Sequence, residues 1–341
     1  MNKREEAELG EEIAQKMKAY GERVDGYIYS ILSSRKPEVL YEASRHIFLA
    51  GGKRIRPYLT MKSCELVGGD PKDVLPFAAA LEILHNFTLI HDDIMDNDTL
   101  RRGAPTVHSK WGIPIGIASG DLLFAKVYEA ILTSEFNEEM PCDRVMKCIR
   151  RVTEATIATC EGQVLDVSYP DAADVTEEDY ILMVGGKTAA LFKACAEVGA
   201  ITGGARKRDV EKLGSFAWDA GISFQIVDDI LGAMANEQTL GKPVGSDLRE
   251  GKKTLITIHA LENANPEERE AILKVLGDVD ADSRDIGVAS KVLVSIGAIE
   301  YAKKKAAEYS LRAKEALSKF PDSWARDDLL EMVDYFTYRR Y

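Results

Sequence analysis

The sequence predicts an all-α fold. No stretch alternates apolar and polar residues for long, β-branched clusters are short, and apolar residues recur at three- and four-residue spacing along most of the chain. Typical helix lengths divide such a chain into roughly ten or more helices, expected to pack as one bundle around a central cavity. No linker divides the sequence and no repeat recurs beyond one doubled acidic pattern, so residues 1–341 are expected to form a single domain.

Composition narrows the class of function. Hydrophobic residues make up 45% and charged residues 29%, enough for both a sizeable core and a soluble surface. No apolar run is long enough to cross a bilayer, and Met1-Asn2-Lys3-Arg4-Glu5-Glu6 lacks the apolar core of a signal peptide, so a cytoplasmic protein is expected. Cys64, Cys142, Cys148, Cys160 and Cys195 show no Cys-x-x-Cys spacing, which points away from a zinc site and from a disulfide framework. The net charge of −12 argues against nucleic acid as a partner, since backbone binding requires a basic face. It also means that any anionic ligand needs a local gathering of cations.

In chain order, the first 50 residues read as two polar helices, with Ile13, Met17, Val24, Tyr27, Ile28 and Ile31 on the packed face of the first. Gly51-Gly52-Lys53-Arg54-Ile55-Arg56-Pro57 then breaks the pattern, because paired glycines end a helix and proline opens the next. Amides at that helix start, beside Lys53 and Arg56, would suit an anion. The run Leu84-His85-Asn86-Phe87-Thr88-Leu89-Ile90-His91-Asp92-Asp93-Ile94-Met95-Asp96 is apolar at helical spacing and ends in three carboxylates. Asp92 and Asp96, four apart, stack on one face and repel unless a cation joins them. Mg2+ suits the position: it takes one or two carboxylates and fills its octahedron with water and phosphate oxygens, which implies a phosphorylated substrate.

Arg101-Arg102-Gly103-Ala104-Pro105 reads as a turn carrying two phosphate-suited guanidinium groups. Ser119 to Leu132 is an apolar helix, and the helix between Pro141 and Pro170 carries Gln163 and Asp166 at a spacing that lets them share a face. Thr176-Glu177-Glu178-Asp179 looks like a capped helix start, leading to Lys187-Thr188-Ala189-Ala190-Leu191, whose small residues allow close approach. Phe224-Gln225-Ile226-Val227-Asp228-Asp229-Ile230 repeats the apolar approach to an acidic doublet. Two such helices face to face would hold several Mg2+ ions in a negative cleft. Leu240-Gly241-Lys242-Pro243 and the lysines of Asp247–Thr254 suit a connection that closes over phosphate. From about residue 262 onward come charged helices with short apolar stripes such as Ala298, Tyr301, Ala302, Lys305 and Ala306, read as an outer layer.

Taken together, Asp92-Asp93-Ile94-Met95-Asp96 with Arg101-Arg102-Gly103, and Phe224-Gln225-Ile226-Val227-Asp228-Asp229, closely resemble the two aspartate-rich regions of trans-isoprenyl diphosphate synthases. The short spacing is most similar to the archaeal farnesyl and geranylgeranyl diphosphate synthases, and the matching motifs run from Gly51 to Lys253. The resemblance implies an isoprenoid-synthase bundle, a homodimer pairing through the Ser119–Leu132 helix, and about three Mg2+ ions per site. It assigns Lys53, Arg56, His85 and Arg102 to isopentenyl diphosphate, and Arg101, Lys187, Lys242 and Lys252 to the allylic diphosphate. Gln163 and Asp166 fall at the rim of the allylic site, with Thr188 and Gln225 near the cationic carbons. Asp92, Asp96 and Asp228 are the implied metal ligands, with Asp229 a weaker candidate. The second motif departs from the commoner pattern, having Gly232 where many relatives have a third aspartate.

The implied reaction is head-to-tail condensation giving geranylgeranyl diphosphate, with farnesyl diphosphate as the alternative product. A terpene cyclase would have no use for the Gly52-Lys53-x-x-Arg56 set, and a non-catalytic regulatory subunit should have lost site residues, whereas only position 232 is altered. For chain length, helix geometry puts Thr88 about 6 Å below Asp92 and about 40° off its face, Leu84 about 12 Å and 80°, and Leu81 about 16 Å and 20°. Phe87 lies about 140° away by the same geometry, but the family gauges product length at the residue five before the first aspartate, which is Phe87.

Overall fold

The computed structural model describes residues 3–133, 140–172, 174–234 and 246–338. It is all-α apart from one short hairpin: α1 Lys3–Ile31, α2 Glu38–Leu49, α3 Ile55–Leu66, α4 Leu75–Met95, β1 Leu100–Arg101, β2 Ala104–Pro105, α5 Val107–Trp111, α6 Ile113–Leu132, α7 Cys142–Ser168, α8 Glu177–Val184, α9 Ala190–Thr202, α10 Lys207–Met234, α11 Ser246–Arg249, α12 Leu255–Asn263, α13 Pro266–Leu273, α14 Ser283–Ser295, α15 Ala298–Leu317 and α16 Trp324–Tyr338. The apolar helix expected from Ser119 begins earlier, at Ile113, where Pro114 sits in its first turn. None of the described helices is long and apolar enough to cross a membrane. The chain divides into two compact units: Met1–Thr156, Leu191–Gly214 and Phe320–Glu331 form one, and Ile157–Ala190, Ser215–Lys319 and Met332–Tyr341 the other.

In the first unit α4 packs on α6, α3 and α1, and α6 on α2 and α5. α4 is buried without a break from Pro76 to Leu84, which is why its sequence there is apolar all round, apart from Glu82, rather than striped. α1 shows the opposite pattern: Ile13, Met17, Val24 and Ile28 are buried along one face and its remainder is charged. Each such side chain, taken fully from water, contributes about 1.5–3 kcal/mol. Between α2 and α3 the paired glycines take positive φ of 80° and 153°, and Arg54 a left-handed φ of 52°. Arg54 is held there from two helices, by Asp25 of α1 at 2.8 Å and Glu82 of α4 at 3.2 Å.

In the second unit the core draws on α8, α10, α12, α13, α14 and α15, with Tyr180, Ile222, Ile226, Leu255, Ile272, Leu293 and Ala302 among its buried side chains. The stripe read at Ala298, Ala302 and Ala306 is buried as spacing four requires. Tyr301 and Lys305, on the flank of that stripe, both engage Glu177 at the start of α8. That start has the capping box expected at Thr176: its hydroxyl accepts from the Asp179 amide at 3.2 Å while the Asp179 carboxylate accepts from the Thr176 amide at 3.0 Å.

One charged cluster helps to close the first unit. Asp328 of α16 accepts from Lys62 at 2.8 Å and Lys16 at 3.0 Å, and Lys62 is itself buried. Burial opposes the Asp328 charge, but the two lysine bonds outweigh it and hold the carboxyl below its ordinary range. Asp328→Asn removes the charge that both lysines are packed against and should cost about 1–3 kcal/mol at neutral pH. A carboxyl with a depressed folded pKa stabilises above its unfolded value, about 4, and loses that contribution as pH falls through the folded value. Urea unfolding of wild type and Asp328→Asn should therefore differ fully at pH 7 and converge in strong acid.

Candidate active site

The carboxylates at the end of α4 divide their work. Asp96 caps the helix, and Asn97, left-handed at φ 53°, turns the chain away from it. Arg102 and Gly103, at φ 53° and 77°, then form the two-residue loop of the β1–β2 hairpin, the pair of positive φ values that a tight hairpin needs. What was read as a plain turn is thus a hairpin that brings Arg101 back beside the helix end. Arg101 Nε donates to Asp93 Oδ1 at 2.5 Å, and its Nη2 lies 3.9 Å from both Asp92 and Asp98. Asp93 is 2% exposed, and burial pushes its carboxyl up to about 6 against the pull of Arg101. Asp92 is half-buried and Asp96 exposed.

The predicted isopentenyl-side residues also come together. Arg102 donates from Nη1 to the Gly51 carbonyl, which ties the hairpin to the glycine loop. Gly52 has no room for a side chain, since a Cβ would stand 2.5 Å from Arg54 Nη1 and 2.8 Å from Arg102 Nη1. The Arg56 guanidinium lies 5.0 Å over the Phe192 ring. Burial, followed by the charges of Arg56, Arg102, Arg101 and Arg54, holds the His85 imidazole well below the usual histidine range. A neutral imidazole among four guanidinium groups is a place prepared for an anion. Lys53 is exposed on the same loop.

For chain length, the Phe87 ring lies 5.4 Å from Phe124 of α6 and 4.9 Å from His91, so it occupies the face of α4 that packs on α6. Thr88 turns its hydroxyl to the His85 carbonyl at 2.7 Å, and Leu81 and Leu84 are buried in the core.

The second unit holds a cavity of about 200 Å3 lined by Asp166, Tyr180, Met183, Val184, Lys187, Thr188, Gln225, Asp228, Asp229, Gly232, Asp247, Lys252, Lys253 and Thr254. Lys187 is placed by a local widening of the helix: Gly185–Ala189 is a π turn, a rare form that is frequent at functional sites. The turn lies directly on α7, where a Cβ at Gly162 would stand 2.1 Å from the Lys187 amide nitrogen. In this arrangement the Lys187 ammonium engages Asp166. Thr188 donates to Gln225 Oε1 at 2.9 Å, and Gln225 Nε2 donates to Asp229 Oδ1 at 2.9 Å. Tyr180 donates to the other Asp229 oxygen at 2.6 Å. Burial pushes the Asp229 carboxyl up to about 7, further raised by Asp247 and Asp228. Lys252 bonds Glu250 at 2.7 Å, and the charges of Asp247 and Glu250 keep it protonated despite its burial. Gln163 is half-buried one turn before Asp166 and does not line the cavity. Lys242 lies outside the described residues.

With this geometry in hand, comparison with known proteins is decisive. The sequence model of the polyprenyl synthetase family matches residues 37–293. The chain belongs to the polyprenyl synthetase family. This prenyltransferase is 44% identical over 304 residues to the geranylgeranyl diphosphate synthase of Saccharolobus solfataricus, covering 89% of this chain and 91% of that one. It is 41% identical to the short chain isoprenyl diphosphate synthase of Methanothermobacter thermautotrophicus, over 97% of this chain and 99% of the relative. The crystal structure of geranylgeranyl pyrophosphate synthetase from Pyrococcus horikoshii superposes with a TM-score of 0.91 at 42% identity, over 97% and 99% of the two chains.

The donor chemistry fits a hard divalent ion. Asp92 near the end of α4 and Asp96 at its C-cap, and Asp228 and Asp247 in the lining of the second unit's cavity, offer only carboxylate oxygen. Among the described residues no three acidic, histidine or cysteine side chains form a cage that would hold a metal by themselves.

Sequence reasoning had left Arg54, Asp93, Tyr180 and the π turn without a role. For the last, the paired glycines before Lys187 are a readable signal, whereas nothing in the spacing marks Tyr180. A Cβ at 162 meets backbone, which cannot yield as a side chain tip does. Gly162→Ala should therefore destabilise by about 1–3 kcal/mol or more, although alanine in a helix ordinarily gains about 1 kcal/mol over glycine. A thermal melt showing equal or higher stability would mean that the helix contact is not as close as it stands.

Proposed function

We propose that this prenyltransferase condenses isopentenyl diphosphate with an allylic diphosphate, head to tail and with Mg2+, to give geranylgeranyl diphosphate. The observation that carries this reading is the juxtaposition at the end of α4. Arg101, fixed by Asp93, stands beside Asp92, while Arg56 and Arg102 surround a neutral His85. Charge of both signs at that density serves two needs at once, an anion to be bound and a metal to be shared with it.

In this mechanism the allylic C–O bond breaks, the double bond of isopentenyl diphosphate attacks the allylic carbon, and a proton is lost to the released diphosphate. Asp92, Asp96 and Asp228 would hold Mg2+, which when bound would supply Lewis-acid neutralisation of the leaving group. Arg101, Lys187 and Lys252 add fixed positive charge to the same oxygens. Gln225, oriented by Thr188 on one side and Asp229 on the other, presents its amide dipole to the carbocation without further reorganisation. Lys53, Arg56, His85 and Arg102 hold the isopentenyl diphosphate. Asp166 releases Lys187 when the allylic diphosphate arrives, with Gln163 beside it at the rim. The enzyme works as a homodimer, and the exposed Ile113, Ile117 and Leu132 of α6 support pairing through that helix. Product length is set at Phe87, with Thr88, Leu84 and Leu81 lining the path below Asp92.

Purified protein incubated with Mg2+, isopentenyl diphosphate and farnesyl diphosphate should release diphosphate and form geranylgeranyl diphosphate, and EDTA should abolish both. Asp92→Ala should lose most of that turnover, at least about a hundredfold, with Asp229→Ala clearly milder. Equal losses would remove Asp228 as the dominant ligand of its motif. Phe87→Ala should shift products beyond the wild-type length by chromatography, and Leu81→Ala less so. Unchanged lengths in Phe87→Ala would place the stop elsewhere.

A further inference from the structure

Tyr180 is buried in the lining of the second unit's cavity, and no step of the proposed reaction uses it. A phenol taken from water needs a partner for its hydroxyl, and this one donates to Asp229 Oδ2 at 2.6 Å. The other oxygen of that carboxylate accepts from Gln225 Nε2 at 2.9 Å, and Gln225 Oε1 accepts from Thr188 at 2.9 Å. Donation thus converges on Asp229 from two sides, from Thr188 through Gln225 and from Tyr180 directly.

The direction of these bonds fixes the polarity of the amide. An amide donates at its nitrogen and accepts at its oxygen, whereas a carboxylate only accepts. Gln225 and Asp229 stand four apart on one face of α10, so the amide must turn its nitrogen to Asp229 and its oxygen to Thr188. The reversed amide would set two acceptors against each other and leave both unsatisfied. This holds only while Asp229 Oδ1 faces Gln225, and a carboxylate can swing about its own side-chain torsions. Tyr180, reaching across from α8, holds the opposite oxygen.

α8 is fastened at both ends. At its start the Thr176 carbonyl accepts from the Tyr180 amide at 3.0 Å, and Glu177 is engaged by Tyr301 and Lys305 of α15. At its C-cap, Gly185, a Cβ would stand 2.8 Å from Trp218 Cζ2, so the indole of α10 closes directly on the helix end. The phenol is therefore carried on an anchored helix against a carboxylate of α10.

We propose that Tyr180 is a positioning residue for the carbocation step: it turns Asp229 so that Gln225 presents its carbonyl oxygen, and not its amino group, on the Thr188 side of the cavity where the cation develops. The oxygen end of an amide dipole stabilises positive charge and the nitrogen end opposes it, so an amide free to reverse loses the benefit of being preorganised. This inference rests on the function proposed above.

The test is the single-turnover rate of geranylgeranyl diphosphate formation from farnesyl diphosphate and isopentenyl diphosphate at saturating Mg2+, which separates chemistry from product release. Tyr180→Phe keeps the ring and removes only the hydroxyl. It should lower this rate about tenfold, while KM for both diphosphates and the Mg2+ concentration for half-activation stay within about twofold of wild type. Gln225→Leu should lower the rate at least as much, and Tyr180→Phe added to Gln225→Leu should cost nothing further, because the group through which Tyr180 acts is gone. A wild-type rate in Tyr180→Phe, losses that multiply in the double variant, or a change in KM or Mg2+ requirement with the rate intact would each overturn the proposal. Should Tyr180→Phe not fold, Asp229→Ala, which cuts the same link from its other end, takes its place in the cycle with the same outcomes. A wild type that forms no geranylgeranyl diphosphate removes the proposed function and this inference with it, whereas failure of the cycle in an active wild type removes the inference alone.

Discussion

The charged end of α4 depends on one ion pair, that of Arg101 with Asp93. α4 ends in three carboxylates, with a fourth at Asp98, in a chain whose net charge is already −12. A buried carboxylate without a cation is among the costliest arrangements in a protein interior. Asp93 is buried and Arg101 answers it at 2.5 Å, which fixes the hairpin on which both Arg101 and Arg102 ride. Arg102 then ties that hairpin to the Gly51 loop, whose other anchor is Arg54 between Asp25 and Glu82. Through these contacts Asp93 and Arg54, which offer their charges to the protein, position Asp92, Arg56 and Arg102, to which the proposed function gives a ligand.

The second unit uses a related economy. Four carboxylates and three lysines line its cavity, and two of the lysines are engaged with acidic partners: Lys187 with Asp166 and Lys252 with Glu250. In the proposed reaction an arriving diphosphate would compete with these partners, so part of its binding would be an exchange of one anion for another. Such an exchange keeps the lysines charged and ordered before substrate arrives, and preorganised charge acts most strongly at the moment a leaving group develops its own. The Tyr180, Gln225, Thr188 and Asp229 network does the same for a dipole, satisfying a buried carboxyl with two donors while orienting one amide.

The all-α architecture and the principal helices were legible in the residues. The absence of alternation, the capping pair at Thr176 and Asp179, and the stripe at Ala298, Ala302 and Ala306 are local signals, and local hydrogen bonding and periodicity obey them. The acidic and basic motifs themselves were legible for the same reason, because Asp92 with Asp96 and Gly51-Gly52-Lys53 with Arg56 are close in sequence. Helix spacing also separated Asp92 from Asp93 by 100°, yet spacing alone does not say which of the two is turned inward.

What the sequence by itself determined is therefore the kind of chemistry and the short-range geometry: helical carboxylates, a glycine-broken basic loop and small residues around Lys187. Tertiary structure alone decided which charges serve the fold and which serve the site. Arg54 and Arg56 differ by two positions, and only the approach of Asp25 and Glu82 from α1 and α4 makes the first structural. Gly232 reads as a lost aspartate, and only the structure shows the carboxylate of Asp247, 15 residues further along the chain, lying 2.7 Å from where its Cβ would stand. The physical reason is common to both cases: electrostatic and steric complementarity act through space between residues distant in sequence, and no periodicity records them.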